Sequence, residues 1–96
     1  MIFFVQAGSP QWVEVEGVAV ELPFGLKGFV FKQKTAIKER YVCCEYYSGQ
    51  KLLHAGTSDV LMRGVQLLLM REYEKNILYR KLYGIIRERG LAPHVY

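Results

Sequence analysis

Several signatures are missing from this chain, and each absence removes a class of function. The only cysteines, Cys43 and Cys44, are neighbours and form no C-x-x-C pair. Adjacent residues on a strand point to opposite faces, so these two neither bridge each other nor open a zinc site. The only histidines, His54 and His94, lie forty positions apart without a carboxylate or thiol cluster at ligand spacing, which argues against a metal centre. Neither G-x-x-x-x-G-K-[ST] nor G-x-G-x-x-G occurs, so no phosphate or dinucleotide loop is expected. From this set we expect no cofactor and no small-molecule substrate.

Apolar runs of membrane-spanning length are absent too. The opening stretch, MIFFVQAG, is too short for a secretory apolar region and has no basic residues before it. The expectation is a cytoplasmic protein that makes no use of a membrane. No segment is low in complexity, no repeat is visible, and apolar residues make up 51% of the chain against 23% charged, which excludes disorder. Ninety-six residues make one domain, 1–96, of a size at which a partner often adds stability.

What is present is an uneven charge. The net value is +4, yet residues 1–26 carry Glu14, Glu16 and Glu21 with no Lys or Arg, while Lys27, Lys32, Lys34, Lys38 and Arg40 face only Glu39. A solvated basic loop is the ordinary reading of such a cluster, and an anionic partner, nucleic acid above all, is the alternative. Within it, KGFVF (27–31) resembles the beginning of the RNA-recognition-motif signature, whose strand aromatics stack on bases. The resemblance covers five residues. Val30, Lys32 and Lys34 depart from the pattern and no helix precedes this strand, so Phe29 and Phe31 are expected to face a core, with the lysines on the other side.

Hydrophobic periodicity changes near residue 56. Before it, β-branched and aromatic residues alternate with polar ones between turns; after it, apolar residues recur at three and four. The first strand is expected to end at Gly8-Ser9-Pro10. In WVEVEGVAVEL the alternation changes phase at Glu16-Gly17, so either a tight turn or a bulge there would put Val13, Val15, Val18 and Val20 on one face. Pro23-Phe24-Gly25 turns the chain into the next strand, and ERYVCCEYY pairs with QKLLHA through Ser48-Gly49. A two-residue turn sets Cys43 opposite His54, with Glu45 on the same face, the parts of a thiol and base pair. A three-residue turn ending on a left-handed Gly49 instead sets Cys43 opposite Leu53 and Glu45 opposite Lys51, and sends His54 to the other face.

Gly56-Thr57-Ser58-Asp59 reads as a helix cap, with Thr57 or Ser58 at the N-cap and Asp59 in the first turn. Arg87, Arg89, Gly90 and Pro93 mark the far end, which leaves a short tail (91–96) with an exposed His94. An unbroken helix between them would be about 48 Å long, far beyond a domain whose radius of gyration is about 13 Å. Its inner stripe, Leu61, Val65, Leu68, Glu72, Lys75, Tyr79, Leu82 and Ile86, turns charged within REYEKN, where a break or bend is expected.

Outside that stripe, apolar residues spread around most of the circumference of this helical region (57–90), including Val60, Leu67, Met70, Ile77, Tyr73 and Tyr83. One small sheet covers one side only. The expected fold is therefore α+β: an antiparallel sheet of four to six strands (within 1–56), then a long bent helix or helix pair packed on it. The expected function is a non-enzymatic protein-binding module of the size of a regulator or inhibitor, joined to a second copy or another protein through its helical region. Leu69, Tyr73, Ile77, Tyr79 and Tyr83 are the candidate interface; Lys27, Lys32, Lys34, Lys38 and Arg40, aided by the arginines of the helical region, are the alternative, nucleic-acid site.

Overall fold

The computed structural model of the chain describes residues 1–6 and 11–95. Five strands come first: β1 (Ile2–Gln6), β2 (Trp12–Glu21), β3 (Lys27–Lys34), β4 (Glu39–Glu45) and β5 (Lys51–Ala55). They form one antiparallel sheet in chain order, β1-β2-β3-β4-β5. Helices α1 (Ser58–Glu74) and α2 (Leu78–Arg89) pack on one face of it, and a short 3-10 turn, Pro93–Val95, follows. This is the α+β arrangement expected from the periodicity. The turn expected at Gly8-Ser9-Pro10 lies outside the described residues.

Thr57 starts α1. It is extended, and its hydroxyl accepts the Val60 N–H at 3.3 Å, satisfying one donor of the first turn. The break falls within REYEKN, at Asn76, which adopts a left-handed conformation (φ 59°). Its N–H donates to the Tyr73 carbonyl and the Ile77 N–H to the Glu72 carbonyl, both at 3.0 Å, the paired bonds of a Schellman ending. The helical layer thus stays within a molecule whose longest dimension is 37 Å. Lys81 on α2 donates to Glu72 on α1 at 2.8 Å and ties the two helices together. The break also restarts the helical phase, so Leu78 and Leu82 are the buried residues of α2, and Tyr79, expected on the inner stripe, is exposed.

The sheet is apolar on both faces. On the helix side Cys43, with Val20, Val30 and Tyr41, packs against Leu61, Val65, Leu69, Leu78 and Leu82. On the other side Phe29, Phe31, Val42 and Cys44 pack against Phe3 and Val5 of β1. The Phe3 and Phe29 rings stack with centroids 4.4 Å apart. β1 is therefore both a strand and a cover.

β2 makes that possible, though neither by the turn nor by the bulge expected at Glu16-Gly17. It is one strand that serves two partners in succession: residues 12–16 pair with β1 and residues 17–21 pair with β3. Val15 packs in the phenylalanine layer and Val20 in the helix layer, so the valines do not share a face. The change of phase in the sequence marks the point where the strand passes from one apolar layer to the other. Gly17 stands at that point, and a Cβ there would lie 2.7 Å from the Val30 carbonyl and 3.4 Å from the Phe3 ring.

The end of the chain closes the second layer, in contrast to the exposed His94 expected of a tail. The Phe4 N–H, on the outer edge of β1, donates to His94 Nδ1 at 2.8 Å. The ring proton therefore sits on Nε2, which donates to the Tyr46 carbonyl at 2.6 Å. Phe3, Phe29 and Tyr46 surround the imidazole. The Gln6 N–H goes to the Gly49 carbonyl and the Ala92 N–H to the Tyr47 carbonyl, so the β4–β5 turn completes the seal. An edge strand whose donors are filled in this way is closed to further pairing along those positions.

Two glycine substitutions test the arrangement. Gly17→Ala is expected to lower the unfolding free energy by about 1–3 kcal/mol, because backbone blocks the added methyl. Gly84→Ala, in α2 with nothing within 4 Å of a new Cβ, is expected to raise it by up to about 1 kcal/mol through helix propensity. Urea unfolding of both variants beside the parent reads the two signs.

Candidate interaction surfaces

The hairpin that could have held a thiol and base pair does not hold one. Cys43 lies opposite Leu53, and Val42 lies opposite His54, so Cys43 and His54 point to opposite faces. The register then shifts by one residue, with Leu52 the extra one, and Cys44 lies opposite Lys51. Glu45, which the longer turn would have set opposite Lys51, is buried and turned into the loop. Its carboxylate accepts the Tyr47 N–H at 2.9 Å and the Ser48 N–H at 2.8 Å. Gly49 closes the turn at φ 66°.

Both thiols are fully buried and unpaired with each other. Burial pushes the Cys43 thiol up to about 11. Cys44 is raised further, by burial first and then by its neighbour Cys43. A thiol held protonated in this way is a poor nucleophile. Among the described residues no three His, Cys, Asp or Glu side chains gather as a metal site requires. Among the described residues no helix is long and apolar enough to cross a membrane.

The five cations of 27–40 separate into one plus four. Lys27 begins β3 at the far end, with its ammonium 5.4 Å from the Tyr46 ring centroid. Lys32, Lys34, Lys38 and Arg40 belong to the other end of the β3–β4 hairpin, where Lys32 and Lys34 lie 3.9 and 3.4 Å from Glu39. Arg40 donates through Nε to Gln33 at 2.8 Å, and its Nη1 lies 3.4 Å from His54 Nε2. Phe29 and Phe31 face the core as expected.

The five candidate interface residues do not form one surface. Leu69 has no exposed area: it is a core residue beneath the sheet, because it continues the Leu61–Val65 side of α1. Ile77 is half-buried in the interhelical turn. Tyr73 stacks on Phe24 at 4.1 Å, and the Tyr79 hydroxyl donates to the Phe24 carbonyl at 2.8 Å. Together they hold Phe24 in its positive-φ conformation (63°) at the β2–β3 turn. Tyr79 and Tyr83 also wall an open, mostly apolar groove of about 310 Å³ with Leu26, Tyr47, Ile86 and Leu91.

A second apolar surface runs along the outer side of α1. Val60, Leu67 and Met70 are 58%, 64% and 48% exposed. With Arg63 and Glu74 they follow spacings of three and four, which places all five on the side opposite Leu61, Val65 and Leu69. Neither Arg63 nor Glu74 takes part in an ion pair among the described residues. The spacing was legible in the sequence, but only burial of the other side tells the outer stripe from the inner one. No family model, curated protein or solved structure matches this chain.

The cysteines supply a pH test. The folded-state value of Cys43 lies above its ordinary 9.0, so its contribution is intact below pH 9 and is lost as pH rises through about 11. The expected loss is about 2 kcal/mol by pH 11. Urea midpoints measured at pH 8 and pH 11 are expected to fall further in the parent than in Cys43→Ala; equal falls would contradict the assignment.

Proposed function

We propose that the protein is a non-enzymatic protein-binding module that acts as a homodimer, joined through its helical layer. What supports this reading is the order of residues along the outer side of α1: Val60, Arg63, Leu67, Met70 and Glu74. Reversed and laid against itself, the stripe matches. A two-fold axis passing beside the middle of α1 sets Leu67 against Met70 of the second copy, and Arg63 against its Glu74. Each such contact then occurs twice, as an isologous interface requires.

The chemistry suits the pairing. Exposed apolar side chains spaced at three and four fit the grooves of an antiparallel helix. The flanking Arg and Glu supply opposite charges at both ends, and these fix direction and register more than they add affinity. A parallel alignment would set Arg63 against Arg63 and lose both pairs. The stripe spans 60–74, about 21 Å of helix.

Light scattering at two protein concentrations, combined with charge exchange, tests the reading. The parent is expected to approach the dimer mass as concentration rises. Arg63→Glu is expected to weaken association by at least about tenfold, equal to about 1.4 kcal/mol, because two carboxylates then face each other at each end. Arg63→Glu combined with Glu74→Arg is expected to restore it. A parent that stays monomeric at both concentrations, or a double variant no better than the single one, would contradict the homodimer.

A further inference from the structure

We propose that the outer half of the β3–β4 hairpin is an arm that inserts into the major groove of duplex DNA. β2 leaves β3 at the Gly17–Phe31 pair, and β5 leaves β4 at the Tyr41–Ala55 pair. Beyond them, Gln33 pairs with Arg40 and Lys34 with Glu39, and among the described residues neither side of this stretch pairs with a further strand, the Arg40 side chain alone reaching His54 of β5. The hairpin therefore extends beyond the sheet as a bare two-stranded ribbon. A free ribbon gains nothing from the core, so its side chains answer to something else.

Those side chains are cationic on both faces. Lys32 and Lys34 share one face with Glu39, Arg40 and Gln33 occupy the other, and Lys38 lies at the tip. Four cations against the one carboxylate of Glu39 leave the ribbon at +3. The Lys–Glu39 pairs are solvent-exposed and hold the lysines weakly. Charge on both faces decides between partners. An acidic protein surface would meet one face only, whereas a groove presents phosphates on both walls.

The tip is closed by hydrogen bonds and is apolar at its point. Thr35 closes it: its N–H and hydroxyl both donate to the Lys38 carbonyl, at 2.9 and 2.8 Å, and its oxygen accepts the N–H groups of Ile37 and Lys38. This holds Ile37 outward, 92% exposed, the most exposed large apolar side chain among the described residues. A B-form major groove, about 12 Å wide, admits a two-stranded ribbon and offers thymine methyl groups to an apolar side chain. The major groove of A-form RNA is too deep and narrow for this.

Fluorescence anisotropy with a labelled duplex of about two helical turns tests the arm, with single-stranded DNA and duplex RNA of the same sequence beside it. Binding at low salt is expected to fall with a log–log slope of about −3 to −4, about 0.9 for each phosphate contact. Lys34→Ala and Lys38→Ala are each expected to make the slope shallower by about one. Ile37→Ala is expected to weaken binding several-fold at unchanged slope, and Glu39→Gln to strengthen it. All four positions are exposed, and circular dichroism confirms that the fold is intact. No duplex binding at low salt overturns the proposal, as does a slope that the lysine variants leave unchanged. Equal or tighter binding of the single strand or of duplex RNA also overturns it.

Discussion

The stack of Phe3 on Phe29 is the contact on which the rest of the molecule depends. A five-stranded sheet this small has one face for its helices and a second that must also leave water, since Phe29, Phe31, Val42 and Cys44 point there. Burying each phenylalanine contributes about 1.5–3 kcal/mol, so the second face cannot stay open in a domain with only some 5–15 kcal/mol in hand. The chain covers it with its own first strand, which requires β2 to change partners at a residue without a side chain. Gly17, Phe3 and the His94 bonds across the edge of β1 are parts of one solution.

That solution has a consequence for the surface. With β1 and His94 covering one face and both helices covering the other, no further element among the described residues shields the outside of α1. Val60, Leu67 and Met70 stay exposed, between charges of opposite sign at Arg63 and Glu74. The outer part of the β3–β4 ribbon, which among the described residues pairs with no third strand, is polar and cationic where the α1 stripe is apolar. A homodimer through the first feature would carry two copies of the second, which suits a duplex ligand with repeating phosphates.

Much of this architecture was legible in the sequence because it follows from local chemistry. Thr57 capping α1, the helix ending inside REYEKN, and Phe29 and Phe31 turning inward all follow from residue type and spacing. The pairing of Cys43 with Leu53 was one of two registers open to the hairpin, and the left-handed Gly49 accompanies the one observed. What stayed hidden is tertiary. The phase change in β2 looks like a turn or bulge because periodicity assumes one buried layer, and this strand serves two. His94 looks like a tail residue because nothing near it in sequence announces Phe4 or Tyr46. Leu69 and Leu67 are both leucines on one helix; only the sheet decides which is core and which is surface. Glu45 looks like a cross-strand partner for Lys51, and instead its carboxylate caps two N–H groups in the turn.

In the proposed dimer a second copy of this chain, in antiparallel register, covers the outer side of α1. An isotope-filtered NMR experiment on an equal mixture of labelled and unlabelled protein reads this contact, because only contacts between copies give signal. The expected result is intermolecular transfer between the Leu67 methyls and the Met70 methyl, and from Val60 to nothing beyond α1 and the interhelical turn of the other copy. Intermolecular signals that join the α2 tyrosines while leaving Leu67 and Met70 silent, or no such signals at millimolar concentration, would contradict it.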